Sequence, residues 1–180
     1  MKQVTLLLLL FTLLFTRCET PKQASDIFHF EMEGIQQLHN KKTFYREKVY
    51  LPVYADIYHT DQSRLFPLTA TISLRNTNVR DSVYIYQLNY YNTKGEILKE
   101  FMQPNMMLAL APLETYDLVI NNKQFQGGTG ANFIVEWGRT SRNAKLLVQA
   151  VMVSTSGQQG LSFITEGHVI ESIHLDNKTN

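Results

Sequence analysis

Hydrophobic and polar residues alternate along much of the chain after about residue 47. The segment 68–75 alternates them one by one, which is the period of a strand with one buried face. The segment 83–91 is rich in β-forming residues, and 96–101 has the pattern of its returning strand. The Asn-Thr-Lys-Gly sequence between them, at 92–95, is typical of a tight turn, because glycine adopts positive φ. We therefore predict a hairpin over 83–101.

Five more segments are predicted as strands, at 49–58, 113–120, 131–137, 145–154 and 161–173. No amphipathic stretch of about ten or more residues, as a helix would need, interrupts them. This pattern excludes a doubly wound α/β fold. It predicts an all-β protein with a single antiparallel β-sandwich of about eight strands. The sandwich is Ig-like in architecture only, because the chain has 1 cysteine and so lacks the Cys…Trp…Cys pattern.

The N-terminus has the form of a secretory signal. One cation, Lys2, precedes an apolar run over 4–15, which is shorter than the about 20 residues that a membrane-spanning helix needs. The only cysteine, Cys18, follows this run, and 14–18 resembles the lipobox of a bacterial lipoprotein. Arg17 departs from the small residue that is usual at the cleavage position. We predict that Cys18 is lipidated after the signal is removed; a plain signal peptide and an uncleaved anchor are the alternatives.

Length and charge limit the domain organisation and the partners. The 180 residues suit a signal peptide (1–17), a lipid-anchored tether (18–45), one β-sandwich domain (46–176) and a short tail (177–180). With 17 basic and 16 acidic residues, the chain has no basic excess that would support nucleic-acid binding. Removing the signal removes two basic residues and leaves a net charge of −1, so no broad field steers a charged ligand.

Two glycine-rich segments connect predicted strands. The first is Gly-Gly-Thr-Gly at 127–130, which precedes a strand and lacks the lysine that a phosphate-binding P-loop needs. We interpret it as a tight connection, and a ligand loop is the alternative. The second, at 156–160, places Gln158 and Gln159 between two glycines, which suits a hairpin-like connection. The two glutamine amides can also hydrogen-bond a polar ligand.

The histidines do not form a recognisable catalytic or metal motif. His59 lies between Asp56 and Asp61, whose carboxylates can assist a metal ligand or a base, but such a run at a strand end is typical of a hydrogen-bonded turn. His168 and His174 would lie about 20 Å apart on one strand, too far to share a metal ion. The chain also lacks a serine-hydrolase nucleophile motif. We predict no catalytic residue, no metal site and no cofactor.

Four segments of the predicted sandwich carry a family resemblance: YLPVYADIYH at 50–59, LTATISLRNT at 68–77, GTGANFIVEW at 128–137, and QAVM at 149–152 with GQQGLSF at 157–163. Together they resemble the bacterial family called domain of unknown function 3124, over about residues 47–170. The resemblance implies an exported protein, often with a lipoprotein signal. It implies no particular activity, so no catalytic residue is carried over from it.

These observations predict a membrane-tethered extracytoplasmic lipoprotein that acts as a binding or assembly module. Its expected location is the bacterial cell envelope, lipid-anchored and facing the periplasm or the exterior. Its expected partners are the membrane, through lipidated Cys18, and an envelope protein or polymer, with no nucleic acid. Because loops on a rigid sandwich usually carry function, we predict a binding site at one end of the sandwich. Its candidate residues are Tyr58, His59, Gly128, Thr129, Asn132, Gln158 and Gln159.

Two other functions fit the sequence. The first is a hydrolase that acts on an envelope polymer, which requires a pocket that gathers histidines with carboxylates. Its candidate groups are His59 or His168 with Asp56, Glu136 or Glu166. The second is a structural envelope protein whose sandwich packs into a larger complex.

Overall fold

The computed structural model describes residues 35–37, 43–121, 126–155 and 160–175. The predicted signal and tether up to residue 34, including Cys18, lie outside these ranges, as do Gln158 and Gln159. The described residues form thirteen strands: β1 (Ile35–Gln37), β2 (Tyr45–Pro52), β3 (Asp56–His59), β4 (Asp61–Pro67), β5 (Thr69–Asn76), β6 (Val83–Tyr91), β7 (Ile97–Glu100), β8 (Met106–Leu110), β9 (Thr115–Asn121), β10 (Asn132–Arg139), β11 (Leu146–Ser154), β12 (Leu161–Glu166) and β13 (His168–His174).

The strands form three antiparallel sheets. The seven-stranded sheet has the order β1-β8-β6-β10-β2-β13, with β7 also paired to β6. The four-stranded sheet has the order β12-β11-β5-β9, and β3 and β4 form a separate hairpin. No helix occurs among the described residues, and so none there is long and apolar enough to cross a membrane. The predicted all-β class is confirmed.

The seven-stranded and four-stranded sheets share one hydrophobic core. Alternate residues of the central strands point into it, as Val135 of β10 and Leu88 of β6 do from one sheet. Ile72 of β5 and Ala150 of β11 face them from the other sheet, and all four side chains are fully buried. Burying one face of each sheet against the other is what the period-two pattern predicts, and it makes the domain a β-sandwich.

The structure has more strands than the about eight predicted, for identifiable reasons. The segment predicted as one strand over 49–58 is divided between β2 and β3. The segment 61–67 forms a strand, β4, opposite β3, and β8 joins the seven-stranded sheet next to β6. Residues 35–37, within the predicted tether, form β1 and pair with β8. The segment predicted as one strand over 161–173 is divided at Gly167. On one side of Gly167 the chain pairs with β11, and on the other it pairs with β2. It thus crosses from one sheet to the other.

Candidate functional site

The β3–β4 hairpin packs one apolar face against the core, and its opposite face exposes a pair of apolar side chains to solvent. Its cross-strand pairs are Asp56–Pro67 at the base, then Ile57–Phe66, then Tyr58–Leu65. Ile57 and Phe66 pack against the core. Because neighbouring residues of a strand point to opposite faces, the next pair points outward. Tyr58 is 56% exposed and Leu65 is 54% exposed. The hairpin therefore presents a tyrosine and a leucine side by side to solvent.

The tip of the hairpin is shaped by local hydrogen bonds. Thr60 has a φ of 72°, and its hydroxyl lies 3.1 Å from Nδ1 of His59. The His59 ring stacks on Phe66 with 6.0 Å between ring centroids. The Asp61 carboxylate accepts bonds from the hydroxyl of Ser63 at 2.6 Å and from its backbone N–H at 2.8 Å. These bonds lower the pKa of Asp61. His59 thus belongs to a hydrogen-bonded turn.

The glycine segment 127–130 is tied to Thr93 in the turn between β6 and β7. The Thr93 hydroxyl donates to the carbonyl of Gly127 at 3.1 Å and accepts from the N–H of Gly130 at 3.0 Å. The Thr93 backbone N–H also donates to Gly127, at 3.0 Å. The segment is therefore engaged with its own fold, in agreement with its interpretation as a tight connection.

The same glycine segment supports the base of the β3–β4 hairpin. The N–H of Ala55 donates to the carbonyl of Gly128 at 3.1 Å, and the carbonyl of Ala55 accepts from the N–H of Leu68 at 2.8 Å. These two bonds lie immediately before β3 and after β4. They connect the hairpin base to the glycine segment on one side and to the start of β5 on the other.

Two of these glycines are required by close approach. A Cβ on Gly127 would lie 2.0 Å from the Tyr90 hydroxyl oxygen and 2.7 Å from Cβ of Ala131. Gly128 has a φ of +79°, and a Cβ there would lie 2.7 Å from the Thr93 hydroxyl. Tyr90 is fully buried beneath the segment. Its burial, together with the nearby charge of Asp56, raises its pKa to about 12.

Removing the Thr93 hydroxyl tests whether this segment is structural. In Thr93→Val the side chain keeps its shape, but the carbonyl of Gly127 and the N–H of Gly130 each lose a partner. We expect the free energy of unfolding to fall by about 1 kcal/mol, measured by chemical denaturation. Thr93→Ser keeps the hydroxyl and is the matched control. Equal losses in the two variants would contradict this role for the hydroxyl.

The structure brings some of the predicted binding residues together and separates others. Gly128 and Thr129 lie at the hairpin base, and Asn132 begins β10 beside Pro52. Tyr58 and His59 lie near the hairpin tip, about 7–10 Å from that base by the rise of a strand. Gln158 and Gln159 lie outside the described residues.

The histidines and carboxylates that a hydrolase would require lie on several strands, and Glu166 and His168 flank the crossing at Gly167 between the two sheets. His59 is near the hairpin tip, whereas Asp56 is at its base. Glu136 binds Arg46 at 3.0 Å on the outer face of the seven-stranded sheet. Glu166 accepts a bond from Gln149 at 2.9 Å on the outer face of the other sheet. Over the ranges that the structure describes, no group of three or more His, Cys, Asp or Glu residues is placed to hold a metal ion.

A polar cluster closes the opposite end of the sandwich. The buried Tyr45 donates to Glu47 at 2.5 Å, and its hydroxyl lies 3.2 Å from that of Ser172. The Arg139 guanidinium lies 4.1 Å from the centre of the Tyr45 ring, and the His174 ring packs against its edge. These contacts join β2, β10 and β13. The cluster therefore holds the last strand of the sheet in place.

The sequence does not single out three residues that shape the site. Leu65 and Phe66 form the second strand of the hairpin, and Thr93 anchors the glycine segment. A usable signal exists for the first two, since the polar stretch 59–64 is flanked by apolar residues on both sides, as in a hairpin. No such local signal exists for Thr93, because its partners are distant in sequence.

The fold and the site define an antiparallel β-sandwich with a projecting, partly apolar hairpin braced by a glycine-rich connection. A family model described as "Protein of unknown function (DUF3124)" matches residues 46–170, and the chain belongs to this family. The predicted resemblance is thereby confirmed. A search of curated proteins gave no match. Among solved structures, the chain is similar to a crystal structure of Thermotoga maritima 1070, with 10% identity and a TM-score of 0.38. That similarity covers 68% of this chain and 92% of the other.

Proposed function

We propose that the protein is a lipid-anchored, extracytoplasmic binding module of the bacterial envelope, and that the β3–β4 hairpin contacts a partner protein. The observation that carries this proposal is the solvent-exposed pair Tyr58 and Leu65 on a hairpin whose other face packs on the core. Tyrosine combines a large apolar area with a polar hydroxyl, and it is enriched at the centres of protein interfaces.

The bracing of the hairpin supports the same function. An isolated two-stranded hairpin is marginally stable in water. Here the base is held by hydrogen bonds from Ala55 to Gly128 and from Leu68 to Ala55, and one face is held by Ile57 and Phe66. A braced hairpin loses less conformational freedom on binding, which favours affinity.

The hairpin is tested by site-specific photo-crosslinking in living cells that produce the full chain. A photoreactive residue at position 58 or 65 is expected to give a discrete adduct that protease digests. The matched control is position 79 at the opposite end of the sandwich, because Val79 is also a highly exposed apolar residue. No adduct at 58 and 65, the same adduct at 79, or an adduct that resists protease would each overturn the proposal of a protein partner.

The anchor is tested separately. Cys18→Ser is expected to move the protein from the membrane fraction to the soluble fraction, because a serine hydroxyl does not replace the lipidated sulfur. Unchanged fractionation would overturn the lipid anchor and leave the hairpin experiment unaffected. Crosslinking at position 58 in the Cys18→Ser variant then shows whether the contact requires the anchor.

A further inference from the structure

The outer face of the four-stranded sheet carries a row of apolar and hydroxyl side chains. Cross-strand pairing places one residue from each strand in this row, which we call the outer row: Ile164, Val151, Thr71 and Val119. Ile164 is 62% exposed and Val119 is 50% exposed. The residues next to them along the strands, such as Ile72 and Ala150, are buried in the core, so the outer row points to solvent.

The outward side of β11 is unusually apolar. An antiparallel sheet with one solvated face normally alternates apolar and polar residues, whereas a strand covered on both faces is a continuous apolar run. On β11 the inward residues Val148 and Met152 are buried, and the outward residues Val151 and Val153 are also apolar. This strand has the composition expected when something covers its second face.

Two carboxylates lie beside the outer row. The neighbouring row contains Gln149 and Ser73 in the middle and Glu166 and Asp117 at its ends. Glu166 accepts a hydrogen bond from Gln149, and Asp117 accepts one from Ser73. Neither carboxylate forms an ion pair within the described part of the chain. Three strand spacings place them about 14 Å apart.

The size of this face limits what can cover it. The three outward rows that cross all four strands span about 19 by 20 Å, or about 400 Å². A fourth outward row crosses three strands and adds one cation, and its members are Leu147, Arg75 and Thr115. A stable complex of two globular proteins buries about 800 Å² on each partner, so a second copy of the chain would need about the same contact area again outside this face. A helix of three turns is about 16 Å long and 10–12 Å wide, and it fits within the face.

We propose that the outer face of the four-stranded sheet binds an amphipathic helix of another protein. The apolar stripe of that helix covers the outer row, and Lys or Arg residues beside the stripe face Glu166 and Asp117. The two carboxylates favour a basic helix over an acidic one, and they oppose contact with an anionic membrane surface. This surface is distinct from the β3–β4 hairpin, so the inference does not depend on the proposed function.

The probe for this surface is a designed helical peptide of about three turns, with leucine at every third or fourth position and lysine beside that stripe. Binding to the full chain is measured by fluorescence anisotropy. We expect Ile164→Lys and Val119→Lys to weaken binding at least about tenfold. Val169→Lys is the matched control, because Val169 is similarly exposed on the other sheet, and it is expected to change binding by less than about twofold.

The charge complementarity has its own test. Glu166→Gln and Asp117→Asn keep the oxygen that accepts from Gln149 or Ser73 and remove only the charge. We expect the double variant to weaken binding and to reduce its dependence on salt, while a peptide with glutamate in place of lysine binds weakly to the unmodified chain. Equal binding of both peptides, or no effect of the variants at 164 and 119, would overturn the proposal. A different result would assign the face to a membrane and overturn the proposal. In that case the unmodified chain binds zwitterionic phospholipid vesicles but not the peptide, and the variants at 164 and 119 lose the vesicle binding.

Discussion

Asn76→Asp is expected to lower the free energy of unfolding by about 3 kcal/mol. Asn76 ends β5 and is only 2% exposed. Its side-chain Nδ2 donates to the carbonyls of Asp81 at 2.8 Å, Leu110 at 3.1 Å and Ala111 at 2.8 Å. These bonds connect the β5–β6 and β8–β9 connections at one end of the sandwich. Aspartate has the same shape but replaces the donating group with an oxygen that faces three carbonyl oxygens.

The loss is also expected to depend on pH. The carbonyl oxygens favour the protonated form of the introduced carboxyl, so its pKa in the folded state rises above the ordinary value of about 3.9. A group whose pKa is raised by folding contributes stability below its unfolded pKa and loses it as pH rises through its folded pKa. The deficit of the variant should therefore be largest near neutral pH and should shrink as pH falls towards about 4. Chemical denaturation at several pH values measures this.

Asn78→Asp is the matched control for this substitution. The side-chain oxygen of Asn78 accepts from the N–H groups of Arg80 at 2.7 Å and Asp81 at 2.8 Å. A carboxylate keeps both of these bonds, so we expect a change within about 0.5 kcal/mol. Comparable losses in the two variants, or no loss at Asn76, would contradict the role given to the Asn76 amide.

The sequence predicts best the strands that bury one face in the core and that pair with another strand along each edge. The predicted 68–75 becomes β5 at Thr69–Asn76, and the predicted 145–154 becomes β11 at Leu146–Ser154. In β5 the inward side chains are apolar at every second position because each must reach the same core, and the outward ones are polar. In β11 the outward Val151 and Val153 are apolar as well, so this strand is recognised by its run of β-forming residues. Both predictions place the strand to within one residue.

Other strands leave no such record in the sequence. Residues 106–110 are all apolar, so they show no alternation, yet they form β8 between β1 and β6. The pattern over 161–173 continues through Gly167, although the chain changes sheets there. Alternation reports which side chains are buried, and it carries no information about which sheet buries them.

The candidate site shows the same limit. The polar stretch 59–64 between two apolar segments indicates a hairpin, but the pairing of Tyr58 with Leu65 depends on the register shift between Tyr58 and His59, which the pattern does not report. The glycine segment is predicted as a connection from its composition. Its attachment to Thr93 depends on a contact between residues 34 positions apart, which no local pattern reports.

Gly167→Ala is expected to lower the free energy of unfolding by about 3 kcal/mol, because the added methyl group has no space. Gly167 connects β12 to β13, and its N–H donates to the carbonyl of Val148 at 2.8 Å. A Cβ there would lie 2.4 Å from Cγ1 of Val49 and 3.1 Å from Cβ of Val148. Both valines are buried, and a valine side chain has few alternative rotamers. The φ of Gly167 is not positive, so the cost is steric and does not come from the backbone conformation.

Two further variants separate this clash from a general effect of removing a glycine. In Gly160→Ala the nearest atom to the added Cβ is the Ser154 carbonyl oxygen at 3.8 Å, so we expect a change within about 0.5 kcal/mol. Val49→Ala removes the atom that Gly167→Ala would strike. The double variant at 49 and 167 should therefore be more stable than the sum of the single losses predicts, by about 1–2 kcal/mol in chemical denaturation. Additive losses would mean that contact with Val49 does not exclude a side chain at position 167. The close contact with Val148 would then be the reason why the chain changes sheets at a glycine.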